Sequence, residues 1–369
     1  MVTSLGCDGA DACAAARAGL TRAALIDGVT VSASVDGRPE PVAVHAAPVL
    51  TRGFEGETRL QRMLDHALRD MKESLVRAGT PLDRAGFYFA VPDPAREYQA
   101  LALITADSVR EEKAEIAKAL AAQAFDGSSA QRMLTRAAAA AEWPTREHKL
   151  MCASAAGQAA ALACVASAKQ DLEAGRVDTA IVVAVDSLIS PGTLSWLQQC
   201  HRLKTTAMPI GLMPGEGCVV LALAREGAAA QGHVLDAALG KEPLSLWSGA
   251  TSVGIALGDV IARVADSAGW RDGHTPAWVI SDHNGEVYRG NEWGHALVRL
   301  QGVWPAASDP TVWLPAIHFG DTGAAGPLIG VCMALRAFER GYAPGERAMV
   351  LASSEAEARA ALVVAAPRH

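Results

Sequence analysis

One helix, apolar on nearly every face, constrains the fold of this chain more than any other feature. Residues 157–174, GQAAALACVASAKQDLEA, carry small or apolar side chains all round until Lys169. Such a helix must be covered on every side, so it is expected between two layers of the protein. Gly175 predicts its end, and TAIVVAV (179–185) predicts a strand buried on both faces. The segment therefore predicts a layered α/β structure.

The same order of elements recurs in the second half of the chain. The predicted elements there are a helix at 252–268, a strand at 277–281, a helix at 291–301, a strand at 312–317, an apolar helix ending at Arg340, and strands at 348–353 and 360–366. GCVVLALA (217–224) closes the first half as AALVVAA (360–366) closes the second. The repeat predicts a duplicated α/β unit, with halves at 1–230 and 231–369 packed round one core.

Composition excludes several classes of function. The 369 residues are 50% hydrophobic, which is enough for a large core, and the net charge of −7 lacks the basic patch that nucleic-acid binding needs. No signal peptide and no stretch of membrane-spanning length is present, so we expect a cytoplasmic protein without a membrane partner. The seven cysteines include no CxxC pair and no four convergent ligands, which predicts free thiols and no metal or other cofactor.

Four stretches are similar to β-ketoacyl synthases of the thiolase superfamily. They are TSLGCDGADACAAARAGLTR (3–22), LEAGRVDTAIVVAVDS (172–187), GLMPGEGCVVLAL (211–223) and FGDTGAAGPLIG (319–330). The resemblance spans nearly the whole chain and implies a thiolase-like α/β fold, a duplicated five-layer αβαβα architecture. It also implies a dimer that pairs through the strand before the central helix, here KLMCAS (149–154).

The family's chemistry implies a cysteine at the start of the central helix, which takes the acyl group as a thioester. In the synthases that cysteine precedes the capping glycine by about seventeen residues, just under five helical turns. Counting back seventeen residues from Gly175 reaches Gln158, whereas Cys152 lies twenty-three residues away. Cys152 is then an ordinary thiol in a strand, and it is a candidate nucleophile only if the helix starts early.

GQAAAL (157–162) resembles the corresponding stretch of the chain-length factors of aromatic polyketide synthases, where glutamine replaces the cysteine. A primary amide cannot form a thioester, but it can hydrogen-bond a substrate or carrier carbonyl. Gln158 has two interpretations, a binding group or a side chain that satisfies polar groups at a buried helix start.

The family's two histidines have only weak counterparts. His283 falls near the first position, but the threonines of the family pattern are absent, and an exposed side chain is the alternative. The second position coincides with Gly320, beside Asp321, while His318 stands two residues too early. A carboxylate there would repel the enolate formed during condensation. The glycine-rich turn that closes the synthase chain is also missing, since AMVLAS (348–353) runs into SEAEARAAL.

Several polar residues cluster in the second half of the chain, at positions 282–299 and 321. The cluster includes Asp282, Asn284, Glu286, Arg289 and Asp321. They form either a polar pocket, in which Arg289 binds a carboxylate or phosphate, or an internal salt-bridge network, and Asp321 is a candidate ion-pair partner of Arg289.

The leading hypothesis is a ketosynthase-like protein that has lost condensation and acts through binding, as a dimeric adaptor or accessory subunit. Similar synthase-like proteins occur beside type VI secretion effector and PAAR-type tip genes, which suggests a secreted effector or secretion-system protein as partner. The alternative is an active 3-oxoacyl synthase or acyltransferase, with Cys152 as nucleophile and an acyl carrier protein or coenzyme A as partner. A third hypothesis is a hydrolase or lyase using the acidic cluster and Arg289.

Overall fold

The computed structural model describes residues 1–31, 39–94, 96, 127–144, 149–225, 230–270, 278–302, 304 and 309–367. Within these ranges the chain forms two main sheets, a two-stranded hairpin and helices on both sides of each main sheet. The hairpin pairs β1 (Ala24–Val31) with β2 (Glu40–Val44) in antiparallel orientation.

The first sheet has the strand order β4-β3-β5-β6. Its strands are β3 (Ala85–Ala90), β4 (Leu150–Ser154), β5 (Thr179–Ser187) and β6 (Glu216–Ala224). β3 runs parallel to both β4 and β5, and β6 runs antiparallel to β5. Val2 forms an antiparallel bridge with Cys218 of β6, so the start of the chain adds to that edge, while β4 forms the opposite edge.

The second sheet repeats this arrangement, with the order β7-β11-β10-β8-β9. Its strands are β7 (His233–Lys241), β8 (Trp278–Ile280), β9 (Thr311–Trp313), β10 (Arg347–Ser353) and β11 (Ala358–Ala365). β8 is parallel to β9 and β10, β11 is antiparallel to β10, and β7 is antiparallel to β11. Each strand of the first sheet therefore has a counterpart with the same direction in the second.

Helices fill the layer between the sheets and cover both outer faces. The central pair is α5 (Ala159–Glu173) and α10 (Gly326–Arg340), which pack in one core cluster with strands of both sheets. The first sheet is covered by α3 (Gly56–Arg77) and α4 (Gly127–Ala140), and the second by α7 (Ile255–Ser267) and α8 (Val287–Leu300). The predicted duplicated αβαβα architecture is confirmed, while the division at residue 230 stays a prediction.

The remaining helices are short and lie around these layers. They are α1 (Gly9–Arg17), α2 (Pro48–Thr51), α6 (Pro191–Gln199) and α9 (Ala316–Phe319). The strand predicted at 312–317 ends earlier, at Trp313, because Pro315 adopts helical angles and opens α9. Within the described ranges, no helix combines the length and the apolar character needed to cross a bilayer.

The central helix α5 has the boundaries that its sequence predicts to within two residues. Gly157 adopts a φ of +63°, the left-handed turn that leads the chain from β4 into the helix. At the other end Gly175 has a φ of +67°, and its N–H donates to the carbonyl oxygen of Leu172 at 3.1 Å. Cys152 consequently lies within β4, and Gln158 is the residue from which α5 starts.

Candidate functional site

Gln158 lines a small cavity whose other lining residues all come from the second half of the chain, between Ile280 and Leu351. It is only 3% exposed, and neither its amide oxygen nor its amide nitrogen has a hydrogen-bond partner. Asp282, Asn284 and Asp321 line the same cavity, whose volume is about 30 Å³. A space of this size holds about one or two water molecules, so it supplies partners for the amide but no room for an acyl chain.

The start of α5 is capped by a residue from the other half of the chain. The N–H of Ala159 donates to Ser354 Oγ at 3.0 Å, and the Ser354 hydroxyl donates to the carbonyl oxygen of Ala156. A Cβ on Gly157 would lie 3.2 Å from the Ser354 Cβ, so glycine also permits this close approach. Helix N-terminal N–H groups are the donors that stabilise a thiolate or an oxyanion, and Ser354 already occupies one of them.

Asp321, which follows Gly320 and lines the cavity, is held by two donors. The Asn284 amide donates to its Oδ2 at 2.6 Å, and the Gly323 N–H donates to its Oδ1 at 2.9 Å. Burial alone would raise the pKa of this carboxyl, but Arg289, Asn284 and the Gly323 N–H together keep that pKa below its usual range. The cavity therefore contains a fixed negative charge.

Arg289 forms its ion pair with Asp282 rather than with Asp321. Its Nη1 lies 2.7 Å from the Asp282 carboxylate and also donates to the carbonyl oxygen of Ser353. The Ser353 N–H returns a hydrogen bond to the same carboxylate at 2.5 Å. Arg289 is 2% exposed, its Nε lies 4.0 Å from Glu286 Oε2, and its Nη2 and Nε lack hydrogen-bond partners, so the guanidinium keeps unused donors.

Glu286 belongs to a second buried ion cluster centred on Arg202. Arg202 Nε donates to Glu286 Oε1 at 2.6 Å, and its Nη2 donates to Glu355 Oε1 at 2.6 Å. Asn284 Nδ2 donates to Glu286 Oε2 at 2.8 Å and so joins this cluster to Asp321. Of the polar residues predicted to converge, the structure brings together Asp282, Asn284, Glu286, Arg289 and Asp321, and it adds Arg202 and Glu355.

A further buried pair, Arg96 with Asp186, lies behind Gly323 and does not itself line the cavity. Arg96 Nη1 lies 3.0 and 2.9 Å from the two carboxylate oxygens, and the N–H groups of Ser187 and Ala324 donate to them at 2.8 and 2.9 Å. Gly323, which lines the cavity, packs directly on this pair. The sequence carried one signal for it, an acid at the end of the apolar strand TAIVVAVDS.

Cys152 lies away from the cavity. Its side chain packs against the central core, where Cys164 and Ser167 of α5 are its hydrogen-bond partners. The hydrogen bond with Cys164, assisted by Ser167, lowers the pKa of the Cys152 thiol to about 6, although burial opposes the shift. A thiolate at neutral pH is more nucleophilic than the ordinary buried thiol expected from the sequence, but none of the described groups lining the cavity touches it.

The two candidate histidines also lie outside the cavity lining. His283 Nδ1 is 2.5 Å from Ser281 Oγ, its ring packs edge-on against Trp293, and burial lowers the pKa of its imidazole. His318 sits in α9, with its Nδ1 3.1 Å from the carbonyl oxygen of Leu20. Gln158 is therefore not accompanied by an imidazole within the described residues that line its cavity.

His45 is a buried histidine that sequence reasoning did not single out. It is 2% exposed, its Nδ1 has no hydrogen-bond partner, and burial, together with the neighbouring His318, lowers the pKa of its imidazole to about 4. An unfolded histidine has a pKa of about 6.5. Between these values the unfolded chain binds a proton that the folded chain does not, so the free energy of unfolding falls as the pH is lowered.

We expect the free energy of unfolding to fall by about 3 kcal/mol between pH 7 and pH 4 through His45 alone. Urea unfolding of the wild type, His45→Asn and the control His201→Asn at several pH values measures this contribution. His201 is exposed. The wild type and His201→Asn should lose stability in parallel, whereas His45→Asn should show a flatter pH dependence. Equal slopes for all three proteins would contradict the assignment.

Metal ligands do not gather in this region. Among the described residues, no group of three or more histidine, cysteine or acidic side chains is arranged to hold a metal ion. The cavity has space for one or two waters and contains the Asp321 carboxylate and the unpartnered amide of Gln158. The buried arginines near it, Arg289, Arg96 and Arg202, each keep at least one nitrogen without a hydrogen-bond partner.

The similarity of this chain to known proteins is found in its structure. No protein-family model matches it, and no curated protein does. A ketosynthase of a type II polyketide synthase, solved in complex with its acyl-carrier protein (AntDE:AntF) and bound to the hexaketide, superposes with a TM-score of 0.72 at 15% identity. The alignment covers 100% of this chain and 97% of that one. The chain has the thiolase-like fold of the ketosynthases.

Two further structures agree with this fold. The ishigamide ketosynthase/chain length factor has a TM-score of 0.66 at 17% identity, with 100% of this chain and 97% of that one covered. The ketosynthase from module 6 of the bacillaene synthase from Bacillus subtilis 168 has a TM-score of 0.68 at 13% identity, with 100% and 71% covered. Identities this low show the fold and leave the activity to the residues of the site.

Proposed function

We propose that this ketosynthase-like protein does not catalyse condensation and acts by binding, as a dimeric accessory or adaptor subunit. The observation that carries the proposal is the buried, unpartnered amide of Gln158 at the start of α5, in a cavity of about 30 Å³. An amide forms no thioester, and a cavity for one or two waters admits no acyl group.

Two further features support the loss of condensation. Ser354 accepts a hydrogen bond from the Ala159 N–H, a donor that an oxyanion would otherwise use. The fixed carboxylate of Asp321 lies at the cavity, and a negative charge opposes formation of an enolate there. Nucleophile, oxyanion donor and electrostatic environment therefore all differ from what condensation requires.

The edge strand β4 supports pairing with a second subunit. Among the described strands it pairs only with β3, on its inner side, and its residues are partly or fully exposed. An edge of this kind presents unpaired backbone groups that another strand can complete. We propose a homodimer through residues 149–154. For the binding function, the proposed partner is a secreted effector or a secretion-system protein. If the chain is enzymatic, the proposed partner is an acyl carrier protein, which is present in the AntDE ketosynthase complex.

The alternative function, acyl transfer through Cys152, is favoured by one observation. Hydrogen bonds from Cys164 and Ser167 lower the pKa of this thiol to about 6, so most of it is thiolate at pH 7.5. A half-buried thiolate can accept an acyl group without a histidine. The two functions thus differ in whether this sulfur is acylated.

We expect no stable mass increase when the intact chain is incubated with acetyl and malonyl thioesters of N-acetylcysteamine, and no decarboxylation of the malonyl thioester. Intact-mass spectrometry of the wild type, Cys152→Ala and the control Cys200→Ala measures this. Cys200 is also half-buried, but burial raises the pKa of its thiol. Acylation that persists in Cys200→Ala and vanishes in Cys152→Ala would overturn the proposal in favour of the transferase.

A further inference from the structure

A second, much larger cleft lies on the first half of the chain, outside the site around Gln158. Its walls are residues 24–26 of β1, Val44 of β2, the segment 48–60 around the start of α3, and residues 187–193 at the start of α6. The cleft has a volume of about 540 Å³. Ligand-binding clefts in proteins typically measure about 300–1,000 Å³, so this one can hold a small molecule.

Apolar side chains form a continuous part of the wall. Val44 and Ile189 are 2% exposed and line the interior, whereas Leu25 is 63% exposed and Phe54 is 37% exposed in the same cleft. Large apolar side chains left in contact with water beside a concave surface mark a place where an apolar group can be buried. The walls therefore favour a ligand with a hydrocarbon portion.

The charged lining is predominantly basic, although the chain as a whole carries a net charge of −7. The lining contains four arginines, Arg22, Arg52, Arg59 and Arg96, and two acids, Glu55 and Asp93. The carboxylates of Glu216 and Asp186, which pair with Arg59 and Arg96, are fully buried and do not line the cleft. In both ion pairs the arginine lines the cleft and the carboxylate does not.

The arginines differ in what they can offer a ligand. Arg59 is bound by Glu216 at 2.5 and 3.0 Å and by backbone carbonyls, and Arg96 is 5% exposed and bound by Asp186. Arg22 and Arg52 are exposed. The exposed pair can therefore meet an incoming anion without first losing a buried ion pair.

We propose that this cleft binds an amphipathic carboxylate, a hydrocarbon chain ending in a carboxylate group. The chain lies against Leu25, Val44, Phe54 and Ile189, and the carboxylate is bound by Arg22 and Arg52. Arginine pairs with carboxylates through charge-assisted hydrogen bonds, so these two exposed side chains are the partners of the head group. The assignment is independent of whether the Gln158 site is catalytic.

The test uses octanoate as probe, with octan-1-ol as the neutral molecule of the same chain length and butyrate as the short-chain anion. Binding to the full chain is measured by isothermal titration calorimetry and by saturation-transfer NMR at pH 7.5 and low salt. The variants are Arg52→Gln, the double variant Arg22→Gln/Arg52→Gln, and Leu25→Ser. Arg69→Gln is the matched control, because Arg69 is an exposed arginine of α3 that does not line the cleft.

We expect octanoate to bind, Arg52→Gln to weaken its Kd about fivefold and the double variant to weaken it more than tenfold, since each exposed ion pair contributes about 1 kcal/mol. Leu25→Ser should weaken binding as well, Arg69→Gln should leave it unchanged, and octan-1-ol and butyrate should each bind at least fivefold more weakly. Absence of octanoate binding, equal binding of octan-1-ol, or equal effects of Arg52→Gln and Arg69→Gln would overturn the proposal. None of these outcomes depends on the acylation result.

Discussion

Arg202→Leu is expected to lower the free energy of unfolding by about 4 kcal/mol, because it leaves two buried carboxylates without their cation. Arg202, Glu286 and Glu355 have side chains that are 8%, 6% and 4% exposed. The guanidinium also lies 5.1 Å from the ring centroid of Trp196, a cation–π contact that leucine cannot make. Urea unfolding at pH 7 gives the change directly.

Two further variants separate the loss of charge pairing from the loss of packing. Arg176→Leu removes an arginine of an exposed pair, whose side chain is 57% exposed, and should cost less than about 1 kcal/mol. Adding Glu286→Gln to Arg202→Leu removes one of the uncompensated charges and should restore part of the stability. If Arg202→Leu lowers the free energy of unfolding no more than Arg176→Leu does, the buried cluster does not stabilise the fold as proposed.

Gly323→Ala is expected to have an effect of similar size, about 4 kcal/mol, through steric conflict with a buried ion pair. A Cβ at this position would lie 2.6 Å from Asp186 Cγ and 2.9 Å from Arg96 Nη2. The residue also has a φ of +55°, which an L side chain adopts at a cost. The substitution must therefore displace Asp186, Arg96 or the start of α10.

Gly341→Ala is the control that isolates the backbone contribution. Gly341 ends α10 with a φ of +69°, but no atom lies within 4 Å of the Cβ that alanine would add. Its substitution should cost about 1 kcal/mol, the cost of the left-handed conformation alone. Thermal or urea unfolding of both variants measures the difference in the free energy of unfolding. Equal decreases would show that the Asp186–Arg96 pair can move aside for a methyl group at little cost.

The layered fold follows from patterns that are local in the sequence. The segment 157–174, which is small or apolar on nearly every face until Lys169, predicted a central helix, and the same succession of helix and strand after residue 231 predicted a second copy of the unit. Gly175 fixed the end of α5, and counting from it placed Gln158 at the start of the helix, where the structure has it. The bounds of each element depend on neighbours within about five helical turns, and the duplication depends on the order in which the elements recur.

The site was predictable only in part, because its contacts join residues far apart in sequence. Asp282, Asn284, Glu286 and Arg289 were found because they follow one strand, but Arg202 reaches Glu286 and Glu355 across sequence separations of 84 and 153 residues. Ser354 caps α5 across 195 residues, a role that SEAEARAAL does not reveal. The identity of Arg289's partner depended on side-chain packing that spacing alone does not determine.

The last residue of β10 and the two residues after it each contact a different part of the structure. Ser353 exchanges hydrogen bonds with Asp282 and Arg289, Ser354 caps α5, and Glu355 pairs with Arg202. Enzymes that admit substrates often rely on a loop that opens and closes at little cost. Here opening would break the cap of α5, the Arg202–Glu355 ion pair and the backbone hydrogen bonds of Ser353 to Asp282 and Arg289 together. These three residues therefore form a rigid joint between the two halves and not a moving lid.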